Sequence, residues 1–141
     1  MKNDYCIVYV SSAVKTFTLE QAQSVSDIRK EYCRAQHVSG LLIYGGGNFL
    51  RMIIGQSENV KLVFKTEQLE APQFDVIKLY EGPIQTNYFE DYPMAVHILQ
   101  NKELKPLDEF SSPEMKEYLE ECLSTEEPAM NVIREFIKNN V

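Results

Sequence analysis

V-S-G-L-L-I-Y-G-G-G-N-F-L-R-M-I-I-G, residues Val38 to Gly55, is the stretch from which the fold of this chain can be read. Two apolar runs, Leu41 to Tyr44 and Phe49 to Ile54, flank Gly45-Gly46-Gly47-Asn48. Glycine supplies the positive φ that a tight reversal needs, so the stretch reads as a β-hairpin. Both arms are apolar at nearly every position rather than alternating. Both faces of the hairpin must therefore be covered, which places it at the centre of a sheet and not at an edge. Arg51 interrupts the second arm, on the same face as Phe49 and Ile53 by the period of two. A guanidinium there has to be paired or reached by solvent, because an uncompensated buried charge costs several kcal/mol.

The flanking sequence supplies the partners. Tyr5-Cys6-Ile7-Val8-Tyr9-Val10 is β-branched and aromatic and apolar on both faces, a second central strand. Thr18 with Gln21 has capping-box spacing, Phe17 could staple the first turn, and Leu19, Ala22, Val25, Ile28 and Tyr32 form an apolar stripe, predicting a first helix that fades before Val38. Ser57 is a candidate N-cap for a second helix with Val60, Val63 and Phe64 inward, stopped by Pro72. Phe74 to Tyr80 reads as a strand, Glu81-Gly82-Pro83 as a turn, and Met94 to Ile98 as a short fifth strand entered at Pro93. Ser112-Pro113-Glu114 and Thr125-Glu126-Glu127-Pro128 start two further helices, striped by Met115, Leu119 and Cys122 and by Ala129, Ile133, Phe136 and Ile137. The order βαββαββαα predicts an α+β, ferredoxin-like, five-stranded mixed sheet with two helices on one face and the two C-terminal helices on the other. Residues 1–99 form the sheet domain and 100–141 a helical pair packed on it.

Composition narrows the function class. A chain of 141 residues with 44% hydrophobic and 25% charged residues fits one soluble domain. A net charge of -7 argues against a nucleic-acid or anionic-membrane surface. No apolar run reaches the roughly 18 residues of a membrane span, and no signal-peptide core is visible. Cys6, Cys33 and Cys122 are odd in number and widely spaced, which suits a reducing compartment, so the expectation is a cytoplasmic protein.

Catalytic patterns are missing. Gly45 to Gly47 precede a strand, with no G-K-[ST], so the phosphate-loop reading fails. His37 and His97 lie in different elements without a ligand pattern, and no metal site is expected. Glu58, Glu67 and Glu70 read as solvated helix positions. The chain is expected not to be an enzyme. An acyl-phosphate or other small-molecule enzyme on this scaffold is the distant alternative, since no arginine-bearing loop follows the first strand.

Four segments together resemble the BLUF family, the blue-light sensors using FAD, over Asp4 to Ile98. They are I-V-Y-V-S-S with Tyr9, S-G-L-L-I-Y from Ser39, G-N-F-L-R-M-I-I-G from Gly47, and E-G-P-I from Glu81 leading to Met94. The C-terminal helices are similar to those of the family's short, stand-alone members. The resemblance implies FAD held between the first two helices. It implies light-driven electron and proton transfer from the strand-one tyrosine through a strand-three glutamine, and an output through the fifth strand to the C-terminal helices or a protein partner. By the same resemblance Tyr9 matches the tyrosine and Met94 the responsive methionine, with Tyr92 where many members have tryptophan. Arg51 stands in place of the glutamine, Cys33 in place of the helix-one asparagine that holds the flavin ring, and Pro72 and Gln73 in place of a basic pair.

These departures carry expectations. An amide both donates and accepts, whereas arginine only donates, so the family's photochemistry is expected to be lost. An unmet polar ring edge costs roughly 1 to 3 kcal/mol of the roughly 8 kcal/mol in a micromolar affinity, which sets Cys33 and Arg51 against flavin binding. Arg51 could instead salt-bridge a carboxylate and fill the vacant space, or pair with the anionic part of a different ligand. The leading reading is a BLUF-like sensory or regulatory protein acting through a protein partner or as a homo-oligomer. The alternative is a working FAD photoreceptor with a non-standard site.

Overall fold

The computed structural model describes residues 4–13, 19–69, 73–98, 117 and 120–139. Strand β1 (Asp4–Ala13) is followed by helix α1 (Leu19–Ala35), strands β2 (Ser39–Gly45) and β3 (Asn48–Gly55), helix α2 (Ser57–Gln68), strands β4 (Gln73–Ile84) and β5 (Ala95–Ile98), and helix α3 (Pro128–Asn139). The capping pair's Thr18, together with Phe17, Glu70, Pro72, the Ser112-Pro113-Glu114 start signal, Met115 and Leu119, lies outside the described residues.

The sheet runs in the order β4-β1-β3-β2-β5. All pairings are antiparallel except β2 with β5. The quoted hairpin is β2–β3, closed by Gly45 opposite Asn48, with Gly46 at φ 58 and Gly47 at φ 80 making the two-residue turn. Two consecutive positive φ values match the right-handed strand twist and are the reason glycine occupies both places. β3 is the middle strand, so every residue from Phe49 to Gly55 is buried.

The two faces are covered separately. On one, Cys6, Val8, Leu41, Ile43, Leu50, Met52 and Ile54 meet Ala129, Met130, Ile133 and Phe136 of α3, with Cys122 alongside. Pro128 opens α3 where its missing N–H costs least. Arg134 donates to the carbonyls of Leu123 and Thr125 and ties that helix to the turn before it. On the other face, Ile7, Tyr9 and Ile53 meet Cys33 of α1 and Val60 and Val63 of α2.

Three local expectations need correction. Glu81-Gly82-Pro83 does not turn the chain: β4 continues through it to Ile84, with Pro83 opposite Tyr5. β4 is an edge strand, where a residue lacking an N–H is tolerated. Two register shifts against β1, one at Val8/Tyr9 and one at Val10/Ser12, break the run, and Asp75 adopts φ 53. The N-cap of α2 is Gln56 and makes no side-chain capping bond, with Ser57 already inside the helix. On α1, among the residues whose side chains are described, the buried positions are Ser26, Arg29 and Cys33, whereas Ile28 is 61% exposed. The inward face of α1 is therefore polar in its second half, rotated from the apolar stripe.

Candidate functional site

Tyr9, Cys33 and Arg51, from three different elements, converge under α1 and α2. Tyr9 lies opposite Arg51 in the β1–β3 register, and both project to the face covered by α1 and α2. Glu67 completes the group from the last turn of α2. It is fully buried, contrary to its reading as a solvated acid. The signal was positional: Val60, Val63, Phe64 and Glu67 follow the spacing i, i+3, i+4, i+7, which places the carboxylate on the inward stripe.

Arg51 is the hub of the contacts. Arg51 Nε donates to Glu67 Oε1 at 3.0 Å and reaches Oε2 at 3.3 Å, and Nη2 donates to Oε2 at 3.1 Å, a side-on bidentate pair. Nη1 donates to the Met52 carbonyl at 2.6 Å and to the Leu41 carbonyl at 3.3 Å, and Nη2 also reaches Cys33 Sγ at 3.1 Å. All five guanidinium N–H groups thus have acceptors. The Tyr9 hydroxyl donates to Glu67 Oε1 at 2.7 Å. Arg29 of α1 stands 3.8 Å from the same oxygen. Gly40 permits the approach of β3: a Cβ there would lie 1.9 Å from the Met52 carbonyl oxygen and 3.0 Å from Arg51 Nη1.

The electrostatics follow from burial and pairing. Burial alone would lower the Arg51 pKa, but Glu67 beside it more than reverses this, and the guanidinium stays charged. Burial alone would raise Glu67, yet Arg51 and then Arg29 pull its pKa below the usual carboxylate value. Burial, then the Glu67 charge, raises Tyr9, keeping its hydroxyl neutral and a donor. Burial also raises the Cys33 thiol, against the opposing pull of Arg51. The cluster is thus an ion pair with a neutral phenol and a neutral thiol attached.

Met94 falls elsewhere. It is buried in a neighbouring cluster with Leu42, Tyr44, Phe49 and Val96, and Leu42 is the β2 residue opposite Arg51. Tyr92 is 39% exposed, and its carbonyl accepts from the Gly40 N–H at 3.2 Å. His37 is exposed at φ 56 at the end of α1, and the side chain of His97 lies outside the described residues. Among the described residues, no three His, Cys, Asp or Glu side chains converge in a way that could hold a metal ion.

A family model described as "Sensors of blue-light using FAD", BLUF, matches residues 5–95. The chain belongs to the BLUF family. Among solved structures it is similar to BlrB, a BLUF protein in its dark state, at 19% identity, TM-score 0.66, covering 84% of this chain and 93% of that one. It is also similar to BlsA in a photo-activated state, at 19% identity, TM-score 0.61, covering 88% and 97%. A Klebsiella pneumoniae BlrP1 manganese and cyclic-diGMP complex matches at 16% identity and TM-score 0.69, covering 96% of this chain and 33% of that one. A bacterial light-regulated adenylyl cyclase matches at TM-score 0.65 and 19% identity, with 75% of this chain against 32% of the cyclase. The chain thus spans about a third of the two larger proteins. These likenesses establish the fold. No curated protein matches the chain.

The BLUF cofactor, FAD, is expected between α1 and α2, and the residues there do not fit it. Tyr9, Cys33, Arg51 and Glu67 are each 0% exposed and bond one another. The helices are tied directly across the gap by Arg29 with Glu67 and by the Tyr32 hydroxyl with Thr66 Oγ1 at 3.1 Å. An open cleft of about 450 Å³ does exist, but it lies beyond the C-terminal end of α1, between Arg34 and His37 on one side and Glu90 and Asp91 on the other. Neither Tyr9, Arg51 nor Glu67 lines it.

Proposed function

We propose that this BLUF-family chain is a regulatory protein that works through protein–protein contacts, as a cytoplasmic homo-oligomer, without the family's light-driven rearrangement. The observation that carries this reading is Arg51. At the position of the switching glutamine it offers five donors, all engaged, and no acceptor, so the exchange of donor and acceptor roles on which an amide switch depends has no counterpart. Tyr9 supports the same conclusion, because its hydroxyl is committed to a charged carboxylate. What remains is a rigid scaffold whose surface is its output.

The names of two similar structures, a light-regulated adenylyl cyclase and a cyclic-diGMP complex, connect this fold with effector proteins, and an effector of that kind is the class of partner we favour. In this reading residues 1–99 are the sensory-type domain and residues 100–141 carry the contact surface. Among the described residues no helix is long and apolar enough to cross a membrane. The deciding experiment is size-exclusion chromatography with light scattering, run in the dark and under blue light. We expect one oligomeric species with an identical profile in both. A monomer, or a light-dependent change of assembly, would refute the proposal.

A further inference from the structure

We infer that the Arg51–Glu67 ion pair has taken the place of the flavin ring, so that this chain folds and functions without FAD. The inference rests on the reading above for where the ring would lie, and extends it from lost photochemistry to a lost ligand.

Three observations on different elements support it. The first is saturation. A ligand edge needs donors or acceptors from the protein, and Arg51 has none left, while Glu67 accepts from Tyr9 and from two nitrogens of Arg51. The second is mutual dependence. A buried arginine on β3 or a buried glutamate on α2 would each be strongly destabilising alone; Glu67 is the carboxylate that neutralises Arg51, and Arg51 is the nearer of the two cations, with Arg29, that neutralise Glu67. Together they complete the interior with chain atoms in the position where a ligand would otherwise complete it. The third is closure. α1 and α2 are joined over the pair by Arg29–Glu67 and Tyr32–Thr66, so a planar ring could enter only by breaking contacts on both helices. Breaking a buried pair in this way reduces affinity on the order of a thousandfold, which moves a micromolar site to the millimolar range.

The full chain is melted alone and with 100 µM FAD, FMN or riboflavin, then desalted and its visible spectrum recorded before and after blue light. We expect a shift of Tm below about 1 °C and no retained flavin band. A flavin with micromolar affinity would raise Tm by about 8 °C at that concentration and overturn the inference. A retained band that ignores light would overturn this inference alone and leave the proposed function standing. A retained band that shifts in light would overturn both. The pair itself is tested with Glu67→Leu, expected to lower Tm by about 10 °C, and with the double variant Arg51→Met/Glu67→Leu, expected to recover more than half of that loss. If Glu67→Leu yields no folded protein, a folded double variant still supports the inference, because only a self-compensating pair is rescued by removing its second half. A double variant no more stable than Glu67→Leu overturns it.

Discussion

Beneath α3 the sheet presents Cys6, Val8, Leu41, Leu50 and Ile54 to Met130, Ile133 and Phe136, carbon against carbon. Beneath α1 and α2 the same strands present Ile7 and Ile53 together with Tyr9 and Arg51, and the helices answer with Cys33 and Glu67. Hydrophobic burial is non-directional and scales with area, so on the α3 face one apolar side chain can replace another of similar volume at modest cost. On the α1–α2 face the pair depends on direction and completeness. Satisfied, it is close to neutral against an apolar core; with one member gone, a charge is stranded. The two faces therefore differ in how they fail rather than in how well they are buried.

That contrast can be broken experimentally. The largest effect belongs to the α3 face: Phe136→Ala should cost about 3 to 5 kcal/mol in urea denaturation, the same at pH 7 as at pH 5, since only area and cavity change. On the opposite face Tyr9→Phe removes no carbon, yet should cost about 2 kcal/mol, the worth of a hydrogen bond to a charged acceptor. A loss below half of that would mean the hydroxyl is not needed by Glu67. A smaller, pH-dependent effect follows from Glu67. Its folded pKa is depressed below its unfolded value, so its contribution is present above the unfolded value near 4.5 and is lost as pH falls toward the folded value. In that window stability should fall with acidification by at most about 1.4 kcal/mol per pH unit from this group, and Glu67→Gln should flatten the slope. An unchanged slope would show that Glu67 is not held ionised by Arg51. Smallest of all, Tyr32→Phe removes only the exposed bond to Thr66 and should cost less than about 1 kcal/mol.

The same asymmetry explains what could be read from sequence. The hairpin, the five strands and the two helix-covered faces were legible because apolar periodicity and glycine placement encode them directly. The polar interior was half legible. Arg51 announced itself as a charge in a buried run, and the need for a partner followed at once, but the partner did not. By composition Glu67 is one acid among several, although its place in the series with Val60, Val63 and Phe64 marks it as inward. On α1, Val25, Ile28 and Tyr32 belong to the apolar stripe, but among the described side chains of the helix Ser26, Arg29 and Cys33 are the buried ones, because this part of the helix faces a charged cluster and not a hydrocarbon surface. Periodicity finds a face only when that face is apolar. Glu81-Gly82-Pro83 has the composition of a turn, but composition does not reveal that β4 lies at an edge, where proline and glycine do not end pairing.

That edge has a consequence for solubility. β4 leaves one side of the sheet open, and Ile77 and Leu79 on it are 57% and 47% exposed, a combination that ordinarily invites templated growth of sheet on sheet. Its two irregularities against β1, the left-handed backbone at Asp75 and the absent N–H of Pro83 interrupt the regular row of donors and acceptors that an incoming strand would need. Along β4, then, the exposed apolar pair lies on a strand whose irregular edge is a poor template for a further strand.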